Sequence, residues 1–519
     1  MSPKSFDFSI ACGIIPGVDV DIKSFLRSPP GIALAAIALL LLFFRLGAGS
    51  LVNSDDAIFA WAVRAAHREG AWLDYDWNGA RLGFLYPPLH FILLRATTTL
   101  FGDNEFALRL PAAMAGLVAV LGAGAIAHRL TGSVRAGLVA GLLLCTSAHF
   151  YDSARSVRLD ATLLALSTLC VYAYLRSWTA PRWLWVAGAF AGLAVLTKGV
   201  LGLIPLFPIA LDICLAERDR RRIRPLVAAS LLFLLIAASW HCRQLALYGW
   251  SFVDNYFLYS VFQRLHGIAG IGASSHFWLD TCRMESFHLV AWGAGAIWLV
   301  ARARVDRAAR MLLSWALVPL LIVSISGTRL PQYLVPALAP LAVACGCALS
   351  RFFDRKLAVF ASAAAAVGVF LATSLAAWLH PDFSPGLRTL TALTRQEGDR
   401  CRLVAFNEYP PAVGYYADSP TLMITDDARA YRLLKSPRAM QDGAAIELID
   451  PVDIPRRIAG RRPVCWLTSL FFERRLRGYL DQVPAELRAR LEYHRDGLYI
   501  LVTERQPQPK MRATKQTKM

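Results

Sequence analysis

Asp55 and Asp56 follow the first long apolar run of the chain and open a stretch of helical pattern, Ile58–Ala66. Two acids in the first turn of a helix, capped by Ser54 or Asp55, suit the helix dipole. The same carboxylates have the chemistry of a general base where they face a cavity at a membrane edge. Asp160 closes a second polar motif, Arg155-Ser156-Val157-Arg158-Leu159-Asp160, and joins them as a candidate catalytic residue. Cations stand at the ends of other apolar runs: Lys198 in Leu196-Thr197-Lys198-Gly199, Arg264 in Gln263–His266, and Arg329 in Ser326–Pro336. Arg158 reads either as half of an internal ion pair or as a bidentate phosphate ligand. A lone Lys between apolar helices is costly unless paired or functional. Lys198, Arg264, Arg158 and Arg329 are therefore the candidate phosphate-binding residues. Tyr86, His90, Arg109, Tyr256, His266 and Tyr333 lie on the same segments and are the candidate lining residues. Arg109 reads as a snorkelling anchor or as a phosphate contact.

Carboxylates for a base and cations for a departing phosphate describe transfer from a phosphate-linked donor. Neither a Walker-type glycine loop nor an HExxH motif occurs, which argues against a nucleotide-driven pump. No metal site is assigned.

These residues need a scaffold, and composition says which kind. Of 519 residues, 56% are hydrophobic and 18% charged, against about 45–50% and about 25% in ordinary soluble domains. That excludes a disordered chain, a disulfide-stapled miniprotein and a cytosolic enzyme. About eleven apolar runs approach the length of a span. They lie at Ile32–Phe44, 108–128, 135–151, 159–176, 183–197, 199–216, 225–241, 286–301, 309–326, 331–350 and 357–379. The first starts late and lacks a small-residue cleavage site, so it reads as a span and not as a signal peptide. With the N-terminus in the cytoplasm, every second loop is basic, including Arg218–Arg224 and Arg302–Arg310. This is the positive-inside pattern. The net charge of +18 thus orients spans and does not imply nucleic acid. All the acids and cations named as catalytic or phosphate-binding then fall on the outer side. Leu89–Leu100, apolar but too short to span, reads as an interfacial helix.

The expected organisation is a polytopic α-helical membrane protein with a small C-terminal α/β domain. Residues 1–30 form a cytoplasmic N-terminus and 31–379 the membrane domain, with a first external loop at 47–107 and a large one at 242–285. Residues 380–505 form a periplasmic domain and 506–519 a disordered basic tail. In that domain Leu403–Phe406, Thr421–Ile424, Val464–Thr468 and Leu498–Val502 read as strands, and Pro411–Tyr416 and Phe471–Gln482 as helices. Ten cysteines are spread along the chain. Cys242 with Cys282, and Cys401 with Cys465, are the pairs an oxidising compartment would permit to bridge.

The order of the motifs carries a resemblance over about residues 30–350. Asp-Asp after the first span is followed by Pro87-Pro88-Leu89, then by the Phe101–Pro111 segment. Arg-x-x-Arg-x-Asp, Leu-Thr-Lys-Gly and Arg329-Leu-Pro-x-Tyr333-x-x-Pro336 come after. This order resembles the protein mannosyltransferase and aminoarabinose transferase superfamily, membrane glycosyltransferases of the GT-C type. The resemblance implies a GT-C fold in a bacterial inner membrane and inverting sugar transfer from a polyprenyl-phosphate donor. The acceptor would be a lipid or glycan of the envelope, such as lipopolysaccharide core. It places the family's catalytic acid at Asp55 and its donor-facing lysine at Lys198. The aminoarabinose transferases carry Glu-Lys where this chain has Leu85-Tyr86, and Arg and Tyr where it has Ile58 and Phe59. Their metal-ligand Glu is thus replaced, which leaves no certain cofactor and turns the expectation away from aminoarabinose. A protein O-mannosyltransferase is the second enzymatic reading, and a flippase for lipid-linked sugars the non-enzymatic one.

Overall fold

The computed structural model describes residues 22–349, apart from 53–54, 78–79, 82–85, 216–219, 264 and 267–275. Further on it describes 368, 402–407, 411–417, 422–425, 446–448, 464–469, 472–482, 485, 491–496 and 499–504. The basic tail, the run at 357–379 save residue 368, and the first twenty-one residues lie outside the described residues. Contacts divide the chain into two units. One comprises 1–49 with 59–381 and 437–439, the other 50–58 with 382–436 and 440–519.

The first unit is helical. In chain order its elements are α1 (Ile22–Leu26), α2 (Pro29–Phe43), α3 (Asp55–Glu69, whose first residues belong to the second unit), α4 (Leu89–Phe101) and α5 (Glu105–Thr131). Next come α6 (Val134–Thr146), α7 (Ala148–Ala154), α8 (Asp160–Arg176), α9 (Trp183–Lys198), α10 (Leu206–Leu215) and α11 (Arg220–Tyr248). The last are α12 (Trp250–Val253), α13 (Phe277–Met284), α14 (Leu289–Arg302), α15 (Arg307–Ile325) and α16 (Val335–Leu349). A two-stranded hairpin, β1 (Asp76–Trp77) and β2 (Ala80–Arg81), precedes α4.

Among the described residues five helical stretches are long and apolar enough to cross a membrane, and seven if two bent pairs each count as one. The chain is a polytopic helical membrane protein. The expected run at 135–151 is broken: α6 and α7 meet at 72°. Ser147 makes the break, because its extended backbone ends α6 and its hydroxyl accepts from Phe150 N to start α7. The run at 286–301 begins with a 107° bend between α13 and α14. Pro111 lies inside α5, because Asn104 caps that helix earlier, accepting from Ala107 N at 3.0 Å.

Polar residues gather at the helix ends. At one end Arg307, opening α15, grips Asp212 of α10 with Nε and Nη2 at 2.6 and 2.7 Å. Tyr174 of α8 donates to the same carboxylate, and Arg222 of α11 donates to Ser177. Between the ends the core is small and apolar, so backbones approach closely, as membrane helices do. A Cβ on Gly188 of α9 would stand 2.4 Å from Ala229 O of α11.

The second unit holds a six-stranded mixed sheet of β3 (Arg402–Phe406), β4 (Leu422–Thr425), β5 (Ile446–Leu448), β6 (Val464–Ser469), β7 (Leu491–Asp496) and β8 (Tyr499–Glu504). The order is β5-β4-β3-β6-β8-β7, parallel through β6 and antiparallel after it. Two helices, α17 (Pro411–Ala417) and α18 (Glu473–Leu480), fall where the sequence places them. The two strands not expected, β5 and β7, are the sheet's two edges. Phe406, Trp466, Leu467, Leu476 and Leu480 are buried. Cys465 is disulfide-bonded, and Cys401 lies outside the described residues. The other permitted pair does not form: Cys242 and Cys282 are free and exposed.

Gly188→Ala is expected to destabilise the protein by about 1–3 kcal/mol, through overpacking of α9 on α11. Gly293→Ala, with nothing within 4 Å of the added carbon, is expected to be neutral or stabilising by up to about 1 kcal/mol. Thermal unfolding of both variants in detergent checks the pair.

Candidate functional site

Asp160 opens α8 and Lys198 closes α9. An acid at a helix N-terminus and a cation at a helix C-terminus are each favoured by the helix dipole. Here the two ends meet: Lys198 Nζ donates to Asp160 Oδ1. The side chains are 13% and 3% exposed, so the pair is withdrawn from water on most sides. The ammonium also lies 5.2 Å from the centre of the Tyr333 ring. Three motifs distant in sequence thus converge on one ammonium. Gly199, with φ +56°, lets the chain turn directly after Lys198. A Cβ there would stand 2.2 Å from the Tyr256 hydroxyl.

That hydroxyl is itself held. His241 Nδ1 donates to Ala237 O at 2.6 Å, so its Nε2 accepts from Tyr256 Oη at 2.8 Å. The Tyr256 ring stacks on Phe252. Tyr256 therefore supports the turn behind Lys198.

His90, buried in the first turn of α4, braces the start of α8. Its Nε2 lies 2.7 Å from Val157 O. A carbonyl only accepts, so Nε2 carries the proton and Nδ1 accepts from Thr162 Oγ1 at 3.1 Å. Burial, opposed by the Val157 hydrogen bond, brings the imidazole down to about 4. It is a neutral brace and not a proton carrier near pH 7.

The other candidate cations have different partners. Arg158 pairs with Asp152 Oδ2 and bonds Ser156 Oγ at 3.2 Å. This is an internal ion pair as one reading foresaw, though with Asp152 and not Asp160. Arg329 donates to Ser324 O and Ser326 O at 3.3 Å, at the C-terminal end of α15. Neither is hydrogen-bonded to Asp160 or Lys198. Arg109 is buried and donates to Leu46 O and Ala48 O at 3.0 and 2.7 Å. It holds the exit of α2 and does not snorkel, because the chain's carbonyls there need donors. Arg155 does the same for Leu41, Leu42 and Phe44 at 2.9–3.0 Å. Tyr86 packs edge-on against Phe59 with centres 5.1 Å apart. His266 is exposed and bonds Phe262 O at 2.8 Å. Arg264 and Ser54 lie outside the described residues.

Asp55 and Asp56 occupy the first turn of α3, Asp55 partly exposed and Asp56 buried. The segment before them is fastened within the second unit: Leu51 N donates to Tyr416 Oη of α17 at 2.8 Å. Tyr416 was not anticipated. Nor was Glu285, which accepts from Ser147 Oγ at 2.8 Å, His149 N and Nδ1 at 3.0 Å, and Trp292 Nε1 at 3.2 Å. His288 Nε2 bonds Thr146 Oγ1 at 2.9 Å. This cluster joins the two helix breaks at Ser147 and Glu285. Its sequence signal was a histidine inside an apolar run. Among the described residues no group of three His, Cys, Asp or Glu is placed to hold a metal ion. Leu85, where the resemblance would place a metal-ligand Glu, carries no donor atom in its side chain.

Residues 86–242 match the family described as dolichyl-phosphate-mannose-protein mannosyltransferase. A protein of Aquifex aeolicus without a described activity is 24% identical over 310 residues, 59% of this chain and 61% of its own length. The undecaprenyl phosphate-alpha-4-amino-4-deoxy-L-arabinose arabinosyl transferase of Pseudomonas paraeruginosa is 28% identical over 317 residues, 57% of this chain and 55% of that one. The chain thus spans less than two thirds of these curated relatives. The crystal structure of ArnT from Cupriavidus metallidurans bound to undecaprenyl phosphate superposes with a TM-score of 0.70 at 20% identity. That match covers 92% of this chain and 99% of the other, so the two share a fold.

His90 generates a pH prediction. Its folded value lies below the unfolded 6.5, so its contribution to stability is complete above about pH 6.5 and lost as pH falls toward 4. Between pH 7.5 and 5 the wild type should lose roughly 2 kcal/mol more than His90→Gln. Unfolding of both proteins across that range measures the difference.

Proposed function

We propose that this chain, of one superfamily with the protein mannosyltransferases and aminoarabinose transferases, is an inverting glycosyltransferase of the bacterial inner membrane. It takes a sugar from a polyprenyl-phosphate donor and places it on an envelope lipid or glycan at the periplasmic face. The observation that carries this reading is the meeting of Asp160, Lys198 and Tyr333 at one end of the bundle.

One N–H of the Lys198 ammonium is engaged by Asp160. An ammonium has three donors, so two remain for the oxygens of a departing polyprenyl phosphate. Asp160 holds the ammonium in place. Asp55 takes the proton of the acceptor hydroxyl, with Asp56 beside it in the same helical turn. The hydroxyl oxygen then attacks the anomeric carbon as the bond to the phosphate oxygen breaks on the opposite side, which inverts the carbon. Polyprenyl phosphate leaves with the bonding pair. Leu85, Ile58 and Phe59 replace polar residues of the aminoarabinose transferases, which favours a different sugar. Lipopolysaccharide core fits as acceptor, and a protein hydroxyl is the second reading. A flippase is disfavoured because the ionisable residues named here gather at helix ends and not at mid-span.

Mass spectrometry of envelope lipids, glycans and glycoproteins from cells lacking the chain should show one missing sugar, which names donor and acceptor. With that donor in hand, Asp55→Asn should slow transfer by at least about 10²-fold. Lys198→Met should slow it by about 10²–10³-fold. Wild-type rates in both variants, or an unchanged envelope, would overturn the reading.

A further inference from the structure

Arg95 lies in α4, one and a half turns beyond His90. An arginine on an interfacial helix ordinarily reaches outward to headgroups and water. The outward face of α4 is apolar, with Leu93, Leu100 and Phe101 exposed. Arg95 is instead on the buried face with Phe91, Leu94 and Thr98, and is only 7% exposed. Its guanidinium carbon sits 4.1 Å from the centre of the Trp72 ring. Nε and Nη1 are enclosed and have no hydrogen-bond partner.

Among the described residues no carboxylate is hydrogen-bonded to Arg95. Two carboxylates are near enough to act on the same His67 and Tyr75 side chains as Arg95 does. Both are engaged elsewhere. Asp74 accepts from Arg243 Nη1 and Nη2 at 3.0 and 2.7 Å, and Asp103 accepts from Arg64 Nε at 2.5 Å. The position is nonetheless built. Tyr75 stacks on Phe91 with centres 4.7 Å apart and donates to Trp72 O at 2.8 Å, which holds the indole over the guanidinium. Trp72 itself is exposed, and its indole lies over the guanidinium.

A cation–π contact offsets part of the cost of a buried charge but gives the N–H groups no acceptor. An anionic group bearing several oxygens does. We propose that Arg95 and Trp72 form a second anion site, which takes a phosphate-type group of the acceptor. Arg95 stands about 7.5 Å along the helix from His90, at 1.5 Å per residue. His90 braces the start of α8, so one short helix connects this site to Lys198 while keeping the two anions apart. The acceptor would then be a phosphorylated glycolipid. The acceptor assignment rests on the transferase reading, whereas the anion site itself does not.

The test uses the full chain in uncharged maltoside micelles, with Lys198→Met as background to remove the first anion site. Inorganic phosphate is titrated, and the signal is the tryptophan fluorescence change lost on Trp72→Phe. Saturable binding is expected, at least about tenfold weaker in Arg95→Gln and intermediate in Arg95→Lys, with all variants monodisperse. Equal binding in Arg95→Gln overturns the site. Competition by added phosphatidylglycerol at matching affinity would make the ligand a bulk headgroup and overturn the acceptor assignment. In the wild-type background Arg95→Gln should raise KM for the acceptor by the same factor and leave KM for the donor unchanged. Phosphate binding that depends on Arg95 in a chain without transferase activity would overturn the transferase reading and leave the anion site standing.

Discussion

An ammonium and a carboxylate at the ends of two neighbouring helices set the terms for the rest of the molecule. Removing either charge from water costs several kcal/mol, and only close pairing with further polar support offsets it. Lys198 and Asp160 meet that condition because α8 begins where α9 ends. The surrounding structure maintains the meeting. Gly199 turns the chain at once, Tyr256 fills the space that any side chain at 199 would occupy, and Tyr333 places its ring beside the ammonium. His90 ties α4 to the turn before Asp160 through Val157 and to α8 through Thr162. Loss of one partner would leave the other charge buried, so the pair is a constraint on helix packing.

The same constraint explains where polarity is allowed. Apolar helices with glycine contacts fill the middle of the bundle, and polar networks form where helices end or break. Asp212, Arg307, Tyr174 and Arg222 make one such network. Asp160 with Lys198, and Glu285 with His149, make others. Helices that run in alternate directions must bring alternate termini together. The residues that share a network are those that the alternation of basic loops puts on one side. Tyr174, Asp212, Arg222 and Arg307 fall with the basic loops, and Asp160, Lys198 and Tyr333 fall opposite.

Much of this was legible in the sequence. Asp160, Lys198 and Tyr333 were named from their motifs, and the central strands and the two described helices of the C-terminal unit from their patterns. What was not legible has common physical causes. Edge strands β5 and β7 are short or rich in charge, because an edge is buried less and needs less apolar patterning. The breaks at Ser147 and Glu285 lie inside or beside runs that read as continuous spans, since hydropathy reports burial and not direction. Arginine was the least legible residue. Its type announces a donor fork, but its partner depends on where a helix ends to within one or two residues. Arg109, Arg155 and Arg329 all serve backbone carbonyls near helix ends for this reason.

That reassignment narrows the chemistry. A phosphate-recognising site needs cations whose donors are not already engaged. Arg109, Arg155 and Arg329 neutralise carbonyl-rich helix ends, Arg158 pairs with Asp152, Arg243 with Asp74, and Arg64 with Asp103. Lys198 retains two N–H donors beyond its contact with Asp160, and Arg95 has enclosed donors with no acceptor. One cation is paired yet retains donors, as suits an anion that must arrive charged and depart. The other is buried with no carboxylate hydrogen-bonded to it among the described residues, as suits an anion that binds and stays while the reaction runs. Two differently prepared cations, tied through α4, are what a transfer between two anionic lipids would require.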